Sequence, residues 1–420
     1  MRIWIINHYA IPPNFSGGTR HYNLAKELIK RGHEVCIIAA NYSHFTHEYI
    51  AAPAVLSKNI TVVEGVPFCW VPVPKYFGNT PRRLWNMLIF AGRILRKKYL
   101  PINFTPDVII GSSPHLFAAF SAYILAKRYH VPFVFEVRDI WPETLVLLGS
   151  ISPHNPAVTL MGWIEKFLCK RATAIVTLLP DASKHMIANG AALTRIHWLP
   201  NFIDAKVVFQ QKPILHVEPN KYFTFMYAGA HGLANNLSLV LKAALLLEQD
   251  INLKDKIRIV LIGDGPQKPA LMEEAKAQNI SIVSFHNQVP KAKMYDILNQ
   301  ADAFLMLLLS SPVFKWGVSP NKLFDYMLMA RPIIFGVSSS NNPVAVSSAG
   351  LTINPDSPEE LAHAMRTIAE LPLSAREQMG MNAKAYVIAN HEVSNIVDRL
   401  EKLLSDVGPV DNSANLGLKH

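Results

Sequence analysis

An alternation narrows the fold of this chain more than any other feature of its sequence. Short apolar runs, R-I-W-I-I, E-V-C-I-I-A-A, D-V-I-I-G-S-S, P-F-V-F-E-V and T-A-I-V-T-L, take turns with amphipathic stretches such as T-R-H-Y-N-L-A-K-E-L-I-K-R. The pattern stops in a Pro-containing polar stretch near 205–221. It restarts with Y-F-T-F-M-Y-A, I-R-I-V-L-I-G, S-I-V-S-F, A-F-L-M-L-L-L and P-I-I-F-G. Strands that recur after helical segments demand parallel sheets with right-handed crossovers. The expectation is an α/β chain of two doubly wound, Rossmann-like domains facing across a cleft, with ligands at the carboxyl ends of the strands.

With 420 residues, half of them hydrophobic, the chain suits two cores better than one. The predicted division is an N-terminal domain over 1–204, a C-terminal domain over 222–385, a helix over 386–404 crossing back to the first domain, and a disordered tail over 405–420. A formal net charge of +10 points to an anionic partner, whether nucleic acid, a phosphorylated small molecule or an acidic membrane surface. Cys36, Cys69 and Cys169 lack the spacing of a zinc site or a disulfide framework, which fits a reducing cytoplasm. The N-terminal apolar run is too short for a secretory signal, and no run of about 18 uncharged apolar residues is long enough to span a membrane.

Three strand-to-helix junctions carry candidate chemistry. In P-N-F-S-G-G-T-R-H, Gly17 and Gly18 allow close backbone approach and offer N–H groups to an anion; a plain structural turn explains them equally well. Y-A-G-A-H-G-L-A-N-N opens the second half with Gly229, His231 and Gly232. In G-V-S-P-N-K-L-F-D-Y-M, Ser319 is predicted as a helix N-cap with Pro320 at the first helical position. Asn321 and Lys322 then sit at the dipole end, where an anion binds. Asp325, three residues on, shares the face of Lys322 and is suited to accept two hydroxyl hydrogen bonds from a ribose. Phosphate plus ribose means a nucleotide. The alternative is a solvated ion pair between Lys322 and Asp325. Neither G-x-G-x-x-G nor a Walker A loop occurs.

Taken in order, G-G-T-R-H-Y-N-L-A-K-E-L-I-K-R-G-H-E-V, E-V-R-D-I-W-P-E-T, L-P-N-F-I-D, I-G-D-G-P and S-P-N-K-L-F-D-Y-M-L-M-A-R-P-I-I resemble the family 4 retaining glycosyltransferases of GT-B fold, in the branch that builds bacterial surface polysaccharides such as O-antigen and capsule. The resemblance covers nearly the whole chain. It implies an N-terminal acceptor domain and a C-terminal nucleotide-sugar donor domain. Gly17, Gly18 and Lys322 would contact the donor diphosphate, Asp325 the ribose, and main-chain groups near Val289 in F-H-N-Q-V-P the nucleobase. Gly229, His231, Ser319 and Asn321 would complete the donor site. Arg138 and Asp139 would lie near the transferred sugar and the acceptor, with a buried structural ion pair as the competing reading.

The departures are specific. Where the family has two acids eight positions apart, the first is Gly317 and only Asp325 remains. The Arg and Lys that usually follow the second-domain glycine loop are absent, leaving His231, Asn235 and Asn236 there; His231 reads equally as a loop histidine. Phe202 replaces the glycine of the P-N-G-V-D pattern.

The implied chemistry is stabilisation of a leaving diphosphate by fixed N–H dipoles and Lys322. No D-x-D or compact acidic cluster suggests a metal, so the expected transfer is metal-independent and needs no cofactor. From Gly65 to Pro106 there is no acidic residue. Arg82, Arg83, Arg93, Arg96, Lys97 and Lys98 there bracket Trp85 and other apolar positions, a membrane-surface pattern; an ordinary helix with its stripe toward the core is the alternative. The expected partners are a nucleotide-sugar donor, UDP-linked and carrying an N-acetylated hexosamine, a polyprenyl-diphosphate-linked saccharide acceptor, and the inner face of the cell membrane, with no nucleic acid. A nucleotide-sugar epimerase of related fold and a non-catalytic nucleotide-sugar binder are the competing functions.

Overall fold

The computed structural model describes the chain except residues 16, 45, 52–59, 79, 102–104, 150, 207–221, 252, 254, 290 and 409–420. The polar stretch expected to link the two domains therefore lies almost wholly outside the described residues. Two units result: Met1–Pro200 with Ile396–His420, and Asn201–Asn395.

The first unit is built on eight strands, β1 (Arg2–Ile6), β2 (Glu34–Ala40), β3 (Ile60–Val63), β4 (Val66–Val71), β5 (Val108–Ser112), β6 (Phe133–Val137), β7 (Ala174–Thr177) and β8 (Ile196–Trp198). They are ordered β3-β4-β2-β1-β5-β6-β7-β8. Strand β1 sits centrally, and Ile3, Trp4, Ile5 and Ile6 have no exposed surface, as expected of a strand covered on both faces. Every described neighbour pair is parallel except β3 with β4. That pair departs from the all-parallel expectation because Glu64 and Gly65 both take positive φ, the geometry of a two-residue hairpin turn.

Helices α1 (Arg20–Lys30), α2 (Pro81–Ile94), α3 (Leu116–Tyr129), α4 (Glu143–Gly149), α5 (Pro156–Arg171) and α6 (Ala182–Ala188) connect the strands. Strand order reverses between β1 and β5, so the loops after these two strands flank the switch point where ligands bind in such sheets. The Gly17–Gly18 loop is one of them.

The second unit has strands β9 (Phe223–Ala228), β10 (Ile257–Ile262), β11 (Val283–His286), β12 (Ala303–Leu307), β13 (Ile333–Gly336) and β14 (Gly350–Thr352) in the order β11-β10-β9-β12-β13-β14, all parallel. Helices α7 (Leu237–Glu248), α8 (Lys268–Ala277), α9 (Lys291–Leu298), α10 (Asn321–Leu328), α11 (Pro343–Val346), α12 (Pro358–Glu370) and α13 (Leu373–His391) complete it. Two apolar clusters, one containing Leu241 and Leu261 and the other Phe304 and Tyr326, bury the sheet. Here the switch point lies between β9 and β12. The loop opening at Gly229 follows the first of these strands, and α10 is the next α-helix after the second.

The last helix, α14 (Val393–Val407), belongs largely to the first unit. Arg31 bonds Asp398 at 2.6 Å and also Glu401, and His33 Nε2 lies 2.7 Å from Glu401 Oε1. Residues 405–407, expected to be disordered, are helical, and residues 409–420 lie outside the described part.

Candidate functional site

In the second unit the predicted donor residues converge around the β9–β12 switch point. Helix α10 begins at Asn321 with Pro320 as N-cap, and Ser319 makes no cap hydrogen bond. The expectation that Ser319 caps this helix fails because its Oγ accepts the backbone N–H of Asn201 at 2.8 Å, while its carbonyl accepts Asn201 Nδ2 at 2.6 Å. Asn201 therefore braces the segment entering the helix. The next turn carries Lys322, half-buried, and Asp325, half-buried, with Asn321 exposed.

Lys322 and Asp325 do not pair with each other. Lys322 Nζ donates to Tyr227 Oη at 2.9 Å and to Asn235 Oδ1, and lies 4.5 Å from the Tyr227 ring centre. Both acceptors are neutral oxygens, and each residue is committed elsewhere: Tyr227 Oη and Asn235 Nδ2 both donate to the Ala230 carbonyl. Burial without an anionic partner pushes the Lys322 pKa down from its usual 10.5 to about 7, since desolvation penalises the charged form. Asp325 Oδ1 accepts a 2.7 Å hydrogen bond from Tyr295 Oη.

The loop after β9 is enclosed by I-G-D-G-P. A Cβ on Gly263 would stand 1.8 Å from the Gly229 carbonyl oxygen and one on Gly265 2.6 Å from that of His231, and both glycines have positive φ. Only glycine admits this approach. His231 is fully buried, and burial, reinforced by the charge of Lys268, holds its pKa below the usual histidine value. Lys268 Nζ donates to the carbonyls of Gly263 and His286 and to Asn287 Oδ1 at 2.9–3.0 Å. It thereby ties the Gly263 loop to the segment that continues to Val289, which is half-buried. Gly317, standing where the family has its first acid, has φ of +94°. The backbone there disfavours any side chain.

In the first unit Gly17 is exposed with positive φ and Gly18 is half-buried, directly before α1. Arg138 is half-buried and Asp139 exposed, and no ion pair joins them among the described residues; the buried-pair reading of these two is therefore set aside. The buried charge lies two residues earlier. Glu136 Oε1 accepts from Arg20 Nε at 2.9 Å, and its Oε2 lies 2.6 Å from His21 Nε2 and accepts from Ser112 Oγ at 2.6 Å. Asn7 Nδ2 donates to that serine at 2.9 Å. Burial alone would raise the Glu136 pKa, but His21 and Arg20 overcome it and hold the carboxylate well below its usual range. Arg20 also donates to the carbonyls of Pro200 at 2.6 Å and Leu199 at 3.0 Å. This network fixes the first turn of α1 behind the Gly17–Gly18 loop.

Helix α2 satisfies both sequence readings in part. Met87, Phe90, Ala91 and Ile94 face the core, while Trp85 and Leu88 are 59 % and 41 % exposed. Arg82, Arg96, Lys97 and Lys98 are exposed. Arg83 and Arg93 have internal partners: Arg83 donates to Tyr9 Oη at 3.3 Å and Arg93 to the Pro72 carbonyl. No helix among the described residues is long and apolar enough to cross a membrane.

Sequence reasoning missed Glu136, Arg20, His21, Tyr227, Tyr295 and Lys268 as contributors. A lone acid inside the apolar strand P-F-V-F-E-V was the one available signal, because a carboxylate in a buried strand needs a partner.

Residues 17–201 match the glycosyl transferase 4-like domain, and residues 222–370 match glycosyl transferases group 1. No curated protein sequence is similar enough to match the chain. Among solved structures, sucrose-phosphate synthase from Thermosynechococcus elongatus is similar with a TM-score of 0.75 at 13 % identity, over 96 % of this chain and 98 % of that one. Anabaena Alr3699/HepE in complex with UDP-glucose gives 0.66 at 14 % identity, over 97 % and 100 %. An E. coli structure described as trehalose-6-phosphate bound with UDP-2-fluoro glucose gives 0.72 at 12 % identity, over 98 % and 99 %. At such identities the likeness is one of fold. With glycosyltransferase domains matched in both halves and two Rossmann-like parallel sheets beneath them, the chain belongs to the glycosyltransferases of GT-B architecture.

Proposed function

We propose that this glycosyltransferase moves a sugar, with retention and without a metal, from a nucleotide-sugar donor to a polyprenyl-diphosphate-linked saccharide during assembly of a surface polysaccharide of the O-antigen or capsule type. The donor is UDP-linked and its sugar an N-acetylated hexosamine. The observation that carries the reading is Lys322, held at a helix start by two neutral oxygens with no carboxylate among the described residues to neutralise it. A diphosphate supplies the missing anion. As the glycosidic bond breaks, negative charge grows on the leaving phosphate, and a preorganised ammonium at the positive end of the helix stabilises it more in the transition state than in the ground state.

In the same unit Asp325, oriented by Tyr295, receives the ribose hydroxyls, and main-chain groups near Val289 meet the base. Gly229, His231, Ser319 and Asn321 frame the phosphates. In the first unit Gly17 and Gly18 present N–H groups to the donor, and Arg138 and Asp139 serve the transferred sugar and the acceptor. The UDP and UDP-sugar complexes among the structural neighbours support the choice of donor class. Work at the inner membrane face accords with the exposed Arg82, Trp85, Arg96, Lys97 and Lys98.

Product analysis tests the reading. The protein is incubated with UDP-, GDP- and ADP-sugars, with and without a polyprenyl-diphosphate saccharide. Acceptor-dependent release of nucleoside diphosphate with a glycosylated lipid product is expected. An interconverted sugar nucleotide without acceptor would make the chain an epimerase instead, and binding without turnover would make it a binder.

A further inference from the structure

Helices α2, α3 and α5 of the first unit pack side by side, α2 on α3 and α3 on α5. They are successive crossovers running the same way along the sheet, β4 to β5, β5 to β6 and β6 to β7, so right-handedness puts them on one face with their N-termini at one edge. Arg128 Nη1, near the end of α3, donates to the Leu95 carbonyl at the end of α2 at 2.6 Å, which confirms the common direction.

Each helix buries one stripe, and the opposite stripe repeats a pattern. Toward the N-termini, beyond the exposed Arg82 in the first turn of α2, it is apolar: Trp85 and Leu88 on α2, Phe120 and Tyr123 on α3, Leu160 and Trp163 on α5. Trp85, Trp163 and Leu160 are 59 %, 58 % and 49 % exposed. The aromatics of α3 and α5 are joined through Phe167, which stacks on Trp163 at 5.6 Å and meets Tyr123 edge-on at 5.2 Å. Toward the C-termini the exposed residues are basic: Lys127 and Arg128 on α3, Lys166, Lys170 and Arg171 on α5, and Arg96, Lys97 and Lys98 just beyond α2. The one carboxylate on the three helices, Glu165, is 3 % exposed and bonded to His185 at 3.0 Å.

We propose that this composite face docks the enzyme on an anionic lipid bilayer, with the aromatic band at the level of the acyl–headgroup boundary and the basic ends of the three helices on the headgroups. Indole and phenol rings favour that boundary, and basic side chains there gain from the negative surface potential. Charge complementarity selects the occupant. A second copy would set one face free of exposed carboxylates against another like it and be repelled. The inference deepens the lipid-linked acceptor reading and rests on it for its purpose, but its test needs neither donor nor acceptor.

The test is flotation of the full chain with vesicles of phosphatidylcholine alone or mixed with phosphatidylglycerol, at low and high salt. Binding is expected only to the anionic vesicles and should weaken with salt. The Lys127→Glu, Lys166→Glu, Lys170→Glu variant, which leaves α2 untouched, is expected to lose at least about tenfold in partitioning. A Trp85→Ala, Trp163→Ala variant should lose a similar factor while keeping the unfolding midpoint of the parent. Wild-type binding by the charge-reversed variant would overturn the composite face, and so would equal binding to neutral vesicles. Self-association or RNA binding without vesicle binding would overturn it too. If flotation behaves as expected while no sugar nucleotide binds, the docking face stands and the transferase reading falls.

Discussion

The two units share a doubly wound design and carry a cation on a helix that starts beside the switch point of each sheet, yet they treat that charge in opposite ways. In the first, Arg20 is neutralised by Glu136, which is further bonded by His21 and Ser112, and both members of the pair are almost fully buried. In the second, Lys322 is held by Tyr227 and Asn235 with no anion among its hydrogen-bond partners. A closed network fixes backbone, here the first turn of α1 and the carbonyls of Leu199 and Pro200. An open one suits the anion proposed for it. The difference fits structural positioning for Arg20 and Glu136 and the anion binding proposed for Lys322, and substitutions in the two units should separate these roles.

The largest effect is expected at Glu136. Glu136→Gln leaves Arg20 buried without its counter-charge and should cost about 3–5 kcal/mol of stability, read as a lowered chemical-denaturation midpoint. Unchanged stability would mean that the network is open to solvent. Lys322→Ala should leave the denaturation midpoint near that of the parent but slow transfer by ~10²-fold or more, as removal of a charge-stabilising donor does. If instead stability collapses with turnover per folded molecule intact, the contrast between the two units is reversed.

A smaller change should follow Tyr295→Phe, which removes one hydrogen bond of about 1 kcal/mol from Asp325. Donor affinity, measured by calorimetry, should fall by roughly fivefold with turnover at saturation preserved. A drop in turnover alone would place Asp325 in the chemistry rather than in ribose binding. The mildest test is pH. Because the folded pKa of Lys322 lies near 7 against the usual 10.5, the unfolded chain binds the extra proton between those values. The contribution of this residue to stability therefore rises with pH across that window. Donor affinity should move oppositely, declining above about pH 7 as the ammonium is lost. Lys322→Arg, which stays charged, should flatten that decline.

Much of this was legible in the residues and some was not. Alternation revealed both sheets because buried parallel strands read as apolar runs, and the S-P-N-K-L-F-D segment revealed the helix start because Pro and Lys have distinct positional costs there. The β3–β4 hairpin escaped because its strands are short and its Glu64-Gly65 turn is a weak signal. Local chemistry alone makes Ser319 a cap, but Asn201, more than a hundred residues away in sequence, takes its hydroxyl. Similarly, i,i+3 spacing brought Lys322 and Asp325 onto one face, whereas Tyr227 and Tyr295, supplied by the fold, captured each of them separately. Local rules located the residues of the proposed site, and long-range partners determine which of their charges remain available.

The most direct test is isothermal titration of the wild type and of Lys322→Ala with UDP-glucose, whose pyrophosphate has no proton to exchange near neutrality, at pH 8 in two buffers of different ionisation enthalpy. The account predicts that the wild type binds with net proton uptake as the diphosphate recharges Lys322, and that the variant binds far more weakly and takes up less. Equal affinity and equal proton uptake in the two proteins would contradict it.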